Sequence, residues 1–162
     1  MALDAASIER LYRSHGHLVL RRARLLLGSE PDAQEALQEV FASLLRDPRA
    51  VRDAGSVVGW LYRATTHFCL NLLRNRRTGA RLLEDRVIPA AILEGGPRPD
   101  ALPELRSLLA QMPAEAAAAA VYHHLDGMTY DEIAGLLRCS RRQVGYLLER
   151  AQRSLSCLEQ SA

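Results

Sequence analysis

The sequence predicts an all-α protein made of two small helical domains joined by a flexible linker. Hydrophobic residues make up 48% of the 162-residue chain and aromatic residues only 5%, a composition that suits helices packed through Leu, Ala and Val. Apolar residues recur along much of the chain at the i, i+3, i+4, i+7 spacing of amphipathic helices. Proline and glycine are concentrated between residues 79 and 103, which indicates a linker between the two domains.

Two amphipathic helices are predicted in the first 46 residues. The apolar positions of the first are Ile8, Leu11, Tyr12, Leu18, Val19, Ala23 and Leu26. Gly28 ends this helix, Ser29 caps the next one, and Pro31 is tolerated in a first helical turn. The apolar side of the second helix carries Ala33, Leu37, Val40, Phe41, Leu44 and Leu45. Its other side is acidic and amide-bearing and carries Asp32, Gln34, Glu35, Gln38 and Glu39.

A polar loop from Asp47 to Gly55 precedes a third helix, which is capped by Ser56 and expected to end near Arg77. One face of this helix is mostly apolar and carries Val57, Leu61, Ala64, Thr65, Phe68 and Leu72. A neighbouring face holds a file of polar and aromatic residues: Trp60, Arg63, His67, Asn71 and Arg74. Such a file is not typical of a core, and it predicts a surface that contacts bases and phosphates.

Residues 78–103 follow no clear period, and a second helical unit is expected from Leu105 onward. Pro113 opens an alanine-rich helix, and Gly127 stops it. Thr129 with Glu132, and Ser140 with Gln143, form two capping boxes. Two capped helices joined by a tight turn predict a helix-turn-helix, in which the second helix turns polar residues outward. These residues are Arg141, Arg142, Gln143, Tyr146, Glu149, Arg150 and Arg153.

The outward side of this second helix fits DNA, although a solvated polar face is an equally good interpretation of the helix alone. Arginine suits guanine edges and phosphates, and glutamine suits adenine. Gly145 costs about 1 kcal/mol in a helix interior and removes one potential contact. Leu147 lies beside the apolar stripe, where it either packs or remains exposed.

Charge and composition exclude several classes of function. The net charge is only +2 and all 21 basic residues are arginine, so local clusters of planar cations matter more than the total charge. Three widely spaced cysteines favour a reducing compartment over disulfides or a zinc site. A metal site at His67 and Cys69, or at the pair His123 and His124, is disfavoured. We expect a cytoplasmic protein, because neither a signal peptide nor a membrane span is evident.

Three segments, in this order, resemble the extracytoplasmic-function type of bacterial RNA polymerase sigma factor, a branch of the sigma-70 family. DAQEALQEVFASLLR (32–46) resembles the family's polymerase-binding helix, and VVGWLYRATTHFCLNLLRNRR (57–77) resembles its promoter-melting and −10 recognition helix. MTYDEIAGLLRCSRRQVGYLLERAQRSL (128–155) resembles its C-terminal helix-turn-helix. The resemblance implies a region 2-like domain over residues 5–78, a linker over 79–101 and a region 4-like domain over 102–157.

The resemblance also implies partners and site residues. Core RNA polymerase would bind through the coiled coil of its largest subunit and through its flap region, the coiled coil contacting Asp32, Glu35, Gln38 and Glu39. The −10 element of promoter DNA would be held by Arg52, Ser56, Trp60, Arg63, His67, Asn71, Arg74, Arg76 and Arg77. The −35 element would be held by the helix-turn-helix residues Thr129, Ser140, Arg141, Arg142, Gln143, Tyr146, Arg150 and Arg153. The implied protein has no cofactor, metal site or catalysis of its own, and an anti-sigma factor would control it.

The helix-turn-helix departs from the family pattern. The family commonly has Gly at position 138, Thr at 143, a basic residue at 145, Ser at 146 and Arg at 147. This chain has Arg138, Gln143, Gly145, Tyr146 and Leu147 at those positions. We therefore expect −35 contacts to shift toward Arg141, Arg142, Gln143, Tyr146 and Arg153.

Three other classes of function compete with the sigma factor. A sigma-like helix-turn-helix regulator that does not recruit polymerase is the main alternative, and the retained Gln38 and Glu39 argue against it. An enzyme has little support, since the sequence contains no Gly-rich phosphate loop or nucleophile elbow. A purely structural helical adaptor is disfavoured by the polar file of the third helix.

Overall fold

The computed structural model describes residues 3–53, 56–82 and 102–160 of the chain. Within those ranges it forms eight α-helices and one π-helical segment and contains no β-strand. The elements are α1 (Ala5–Leu27), α2 (Glu30–Arg46), α3 (Ala50–Asp53), α4 (Val57–Leu82), α5 (Leu102–Gln111), α6 (Ala114–Ala120), the π-helical segment (Val121–Leu125), α7 (Tyr130–Leu137) and α8 (Arg141–Glu159). The predicted all-α fold class is confirmed.

Two compact units make up the chain, Met1–Cys69 and Leu70–Ala162. The division between them falls inside α4, earlier than the domain end expected at residue 78. α4 continues to Leu82 and so extends four residues into the predicted linker over residues 79–101. Arg81 and Leu82 are good helix formers and extend the helix past Gly79. The rest of that linker lies outside the described residues.

Local signals set the ends of α1 and α2 as the sequence predicted. Gly28 has the left-handed φ of 66°, and its N–H donates to the carbonyl oxygen of Arg24 at 2.9 Å. The hydroxyl of Ser29 then accepts from the backbone N–H of Asp32 at 3.4 Å. A glycine that can turn left-handed followed by a capping serine reverses the chain within two residues. This turn packs α1 against α2.

The core of the first unit is formed by α1, α2, α3 and the first turns of α4. Its buried cluster comprises Ile8, Val19, Leu37, Val40, Phe41, Leu44, Val51, Trp60 and Leu61. The expected apolar sides of α1 and α2 are largely confirmed, but Tyr12 is 45% exposed and Leu45 55% exposed. The predicted polar loop from residue 47 to 55 was partly wrong, since α3 forms within it and supplies the buried Val51.

The buried face of α4 differs from the expected one. Leu61 and Thr65 are buried as predicted, but Thr66, Cys69 and Leu70 are buried as well. Val57, Ala64, Phe68 and Leu72 are only half-buried. Thr65 and Thr66 are polar, and periodicity of large apolar residues does not predict that such positions are buried.

The second unit is built around α6. Ala116, Ala117, Ala118, Ala119 and Ala120 are all buried, and small side chains allow α8 to pack closely against this helix. Past Ala120 the helix widens into the π-helical segment, where the N–H of Asp126 donates to the carbonyl oxygen of Val121. Gly127 ends it with a φ of 65°, so the predicted stop is confirmed. α5 begins at Leu102, three residues before the expected start.

Candidate functional site

The exposed side of α2 carries most of the residues expected to bind a protein partner. Glu35 and Gln38 are exposed, and Glu39 is partly exposed and in contact with Arg46. Asp32 is a correction, because it is only 8% exposed and does not belong to this face. Asp32 lies in the first turn of α2, where a carboxylate interacts favourably with the helix dipole.

An ion pair fixes the acidic end of α2. Arg24 donates to both carboxylate oxygens of Glu30, through Nε at 2.6 Å and Nη2 at 2.7 Å. Together with a hydrogen bond from Gln34, this bidentate contact lowers the pKa of Glu30 from 4.5 to about 2. Glu30 therefore keeps its negative charge at all physiological pH values, on an exposed surface that adjoins Gln34 and Glu35.

The start of α4 is set by Ser56, whose hydroxyl accepts from the N–H of Gly59 at 3.0 Å. His67 and Asn71 of the expected polar file are exposed, and Arg63 is partly exposed. Trp60 is a correction, because it is only 7% exposed and belongs to the apolar cluster of the first unit. The first turn of α4 is covered by the same buried cluster that includes Val51 of α3.

Arg74, the last residue of the file, is held within the second unit. Its Nη2 atom donates to the backbone carbonyl of Met112 at 2.8 Å, directly after the C-terminal end of α5. A guanidinium group at a helix C-terminus satisfies a carbonyl that has no partner in the helix. Of the remaining residues expected to bind the −10 element, Arg52 and Arg76 are exposed. The structure does not describe the side chain of Arg77.

A buried arginine positions α4, and sequence reasoning missed it. Arg22 of α1 is 6% exposed, its Nε donates to the Thr66 hydroxyl at 2.7 Å, and its guanidinium lies 4.0 Å from the centroid of the Tyr62 ring. The Thr66 hydroxyl donates in turn to the carbonyl of Tyr62 at 2.8 Å. The signal was available, because Arg22 lies three residues after Val19 on the apolar stripe of α1, where a cation needs a partner.

The helix-turn-helix is fixed by the two predicted caps and by one strained residue. Thr129 and Glu132 form the full capping box, with bonds of 3.3 and 2.7 Å. Ser140 accepts from the N–H of Gln143 at 3.1 Å. Between the helices, Arg138 adopts the left-handed conformation with φ 54° and ψ 45°. Residues other than glycine rarely do so, since their Cβ approaches the backbone too closely.

The outward side of α8 presents the residues expected to contact the −35 element. Val144, Leu147 and Ala151 are at most 3% exposed and fix the rotation of the helix. The residues expected at the site are all exposed: Ser140, Arg141, Arg142, Gln143, Tyr146, Arg150 and Arg153. The exposed Thr129 caps α7. Leu147 packs in the core, which answers the alternative left open by the sequence.

Two of these arginines have acidic neighbours. Arg141 lies 3.5 Å from a carboxylate oxygen of Asp131 on α7, and Arg153 lies 3.7 Å from Glu149, one turn earlier on α8. Both pairs are largely exposed, and exposed pairs of this kind contribute less than about 1 kcal/mol to stability. A phosphate group can therefore compete for either arginine at little cost.

The described residues contain neither a cluster of metal-ligating side chains nor a helix that could span a membrane. In ranges 3–53, 56–82 and 102–160, no group of three His, Cys, Asp or Glu side chains is placed to hold a metal ion. Burial raises the pKa of the Cys69 thiol to about 12, so it is an unreactive neutral thiol. No described helix has the length and hydropathy needed to cross a bilayer.

Two protein families match the chain. The sigma-70 region 2 family matches residues 11–78, which include α2 and most of α4. The sigma-70 region 4 family matches residues 102–155, which include the helix-turn-helix. The two matches are separate and follow the order in which their regions are numbered.

Curated relatives match most of the chain. It is 29% identical over 159 residues to the ECF RNA polymerase sigma factor SigE of Mycolicibacterium smegmatis, covering 92% of the chain and 60% of that protein. It is 27% identical over 162 residues to the ECF RNA polymerase sigma factor SigM of Mycobacterium tuberculosis, covering 91% of the chain and 82% of that protein. The chain thus spans less than two thirds of the length of the first relative.

A solved structure shares the fold. The sigma factor RpoE, crystallised in complex with the anti-sigma factor NepR from Bartonella quintana, aligns with a TM-score of 0.51 and 17% sequence identity. The alignment covers 96% of this chain and 98% of that one. At this identity, the similarity establishes a common helical fold.

Proposed function

The chain belongs to the sigma-70 family, within its extracytoplasmic-function (ECF) group, and on that premise we propose that it binds core RNA polymerase and directs promoter recognition and strand opening at the start of transcription. The observation that carries the proposal is the presence of both sigma regions in one chain, in order. A DNA-binding regulator that had lost polymerase recruitment would need only the second region.

Polymerase binding is assigned to the exposed side of α2. Glu35, Gln38 and Glu39 offer carboxylates and an amide to a basic partner, and charge-assisted hydrogen bonds between such groups are strong. The coiled coil of the largest polymerase subunit is the proposed contact for this side. The flap region is the proposed partner of the second unit, residues 102–157.

Promoter opening is assigned to α4 and to Arg52 of the preceding helix α3. Arg52, Arg63 and Arg76 supply cations for the displaced strand, and His67 and Asn71 supply polar side chains for base edges. Binding energy gained from unstacked bases stabilises the open state of the DNA. In this proposal Trp60 supports α4 from inside the first unit, and it does not stack on a base.

The proposed protein acts by binding alone, in the cytoplasm where polymerase and chromosomal DNA are found. Transcription initiation factors of this family have no chemistry of their own, and the proposed mechanism needs neither cofactor nor metal. The RpoE structure was solved with an anti-sigma factor, and we extend to this chain control by a protein of that class.

Run-off transcription with core polymerase and a library of promoters tests the proposal. The wild-type chain should confer initiation on a subset of templates, and the double variant Glu35→Arg, Gln38→Ala should lose both initiation and co-purification with core polymerase. Glu9→Arg is the matched control, because Glu9 is exposed on α1 and precedes the matched residues 11–78. A chain that binds promoter DNA but never co-purifies with core polymerase would instead be the non-recruiting regulator.

A further inference from the structure

The rotation of α8 determines which of its side chains can reach a ligand. Val144, Leu147 and Ala151 are 0%, 3% and 3% exposed, and their burial holds one side of the helix against the rest of the unit. At about 100° per residue, the opposite side consists of Arg142, Tyr146, Glu149 and Arg153. Gln143 and Arg150 flank this line on one side, and Arg141 and Gly145 flank it on the other.

Tyr146 stands in the middle of that outward line and is 51% exposed. One helical turn before it lies Arg142, and one turn after it lies Arg150, both exposed. Its neighbour Gly145 adds no side chain to that flank, where the nearest ring is Tyr130, 3.9 Å from the position of a Cβ at Gly145. The arrangement is an aromatic ring between two cations on the second helix of a helix-turn-helix.

The charges around the ring favour a polyanion over a protein partner. Glu149 is the one acidic residue on the outward line, and it faces Arg153 at 3.7 Å. Arg142 and Arg150 bracket the ring with positive charge, which suits two stretches of phosphate backbone on either side of a groove. Within a major groove, the apolar group that a ring can meet is the C5-methyl group of thymine.

We propose that Tyr146 is a specificity-determining residue that contacts the C5-methyl group of a thymine in the upstream promoter element. Gln143, exposed and nearly one turn earlier on α8, is placed to form the bidentate contact with adenine N6 and N7. The upstream element is then read as an A·T-containing step, with Arg142 and Arg150 on the flanking phosphates. The inference rests on the proposed promoter-binding function and adds the base that the helix selects.

Deoxyuridine substitution tests the contact, because it removes only the methyl group. Upstream elements are first selected from a randomised duplex library with holoenzyme assembled from the full chain and core polymerase. Each thymine of the selected element is then replaced by deoxyuridine. For the wild-type chain, one position should lose about three- to fivefold in affinity, the effect of one buried methyl group. Tyr146→Ala should show the same loss on the thymine duplex and no further loss on the deoxyuridine duplex.

Two variants separate this contact from other roles. Tyr146→Phe keeps the ring and should retain the sensitivity to deoxyuridine. Arg142→Ala should weaken binding to all duplexes and also retain that sensitivity. The proposal is overturned if Tyr146→Ala remains as sensitive to deoxyuridine as the wild type, or if no thymine position is sensitive. It is equally overturned if Tyr146→Ala binds every duplex normally but no longer binds an anti-sigma protein.

Failure of the proposed function gives a different result. If the chain does not assemble with core polymerase, the selection and the deoxyuridine comparison are made with the full chain alone. A methyl-sensitive position that disappears in Tyr146→Ala would then support the base contact while removing the sigma-factor role. Absence of any duplex binding by the chain, with or without polymerase, overturns the base contact itself.

Discussion

The guanidinium group of Arg22 on α1 lies 4.0 Å from the centre of the Tyr62 ring on α4. The Nε atom of Arg22 also donates to the hydroxyl of Thr66, one turn after Tyr62 on α4. Through these two contacts a buried cation joins α1 to α4. The helix proposed to hold the melted strand is thereby positioned from its inner side, at residues that do not face DNA.

Removing this cation should destabilise the first unit. We expect Arg22→Ala to lower its free energy of unfolding by about 2 to 4 kcal/mol, because a charge-assisted hydrogen bond and a cation–π contact are lost together. Urea unfolding followed by the fluorescence of Trp60, the only tryptophan, reports on this unit. Arg21→Ala, at an exposed neighbour, should change the value by less than about 0.5 kcal/mol. Equal effects of the two substitutions would contradict the role given to Arg22.

The left-handed Arg138 predicts a stabilising substitution. Arg138→Gly should raise the stability of the second unit by about 1 kcal/mol, because glycine adopts φ 54° without the steric cost of a Cβ. Thermal unfolding followed by circular dichroism measures the change. Arg138→Ala removes the guanidinium but keeps the Cβ, so it should leave the stability close to that of the wild type. A gain in both variants would point to the charge and not to the backbone.

Gly145 and Gly127, two glycines of the second unit, should respond oppositely to alanine. A Cβ atom added at Gly145 would lie 3.9 Å from Cε2 of Tyr130, an ordinary contact. Gly145→Ala should therefore stabilise α8 by up to about 1 kcal/mol. Gly127 has a φ of +65°, and Gly127→Ala should destabilise the unit by about 1 kcal/mol. Both are measured by thermal unfolding, and a loss in Gly145→Ala would mean that Tyr130 cannot accommodate the methyl group.

Thiol chemistry should distinguish the three cysteines. Cys157 is exposed and Cys139 partly exposed, whereas Cys69 is buried. At pH 8, a disulfide-exchange reagent should label Cys157 first and Cys139 more slowly, because burial and Glu115 raise the pKa of Cys139. Cys69 should react only on unfolding. Rapid labelling of Cys69 in the native protein would mean that the first unit opens locally.

The same thiol gives a pH dependence of stability. The pKa of Cys69 is about 12 in the folded protein and 9.0 ordinarily, so the folded state holds this proton more tightly. Its contribution is complete below pH 9 and is lost as the pH rises toward 12, with a slope of up to about 1.4 kcal/mol per pH unit. Urea unfolding between pH 8 and 10.5 should therefore show a steeper decline for the wild type than for Cys69→Ala. Parallel curves would exclude the effect.

The outward arginines of α8 should differ in their effects on promoter binding. Arg142→Ala should weaken binding about tenfold or more and reduce the slope of log affinity against log salt by about 0.9 if it contacts one phosphate. Arg153→Ala should cost less, because Glu149 already competes for Arg153 at 3.7 Å. Filter binding at several salt concentrations measures both. Arg13→Ala, at an exposed residue of α1 paired with Glu9, is the control. Unchanged affinity in both α8 variants would remove the helix from the promoter interface.

The ends of the helices could be predicted because they depend on interactions between residues close together in the sequence. Gly28, Ser29 and Thr129 act through neighbours within four residues, so their roles could be predicted. Trp60 shares its buried cluster with Val51 of α3, a four-residue helix whose pattern is too short to detect. Asp32 and Arg22 are buried polar residues, and their residue types favour the surface by default.

The site was predictable to the same extent. The rotation of α8 follows from the apolar Val144 and Ala151, so the exposure of its outward residues could be predicted. For Leu147 the sequence left open whether the side chain packs or is exposed, and the structure shows that it packs. Arg138 could be recognised as a departure from the family pattern, but its backbone conformation could not be derived from local propensity. The partners of Glu35, Gln38 and the exposed arginines are still predictions.

The buried stripe of α8 and its outward line have no residue in common. Exchange of Arg142, Gln143 or Tyr146 therefore leaves the packing of Val144, Leu147 and Ala151 untouched. If the outward line reads promoter DNA as proposed, duplicated copies of such a gene can diverge to new promoters through outward substitutions alone. Directed evolution of this helix should accordingly yield variants with altered regulons at a high frequency, while the core positions remain unchanged.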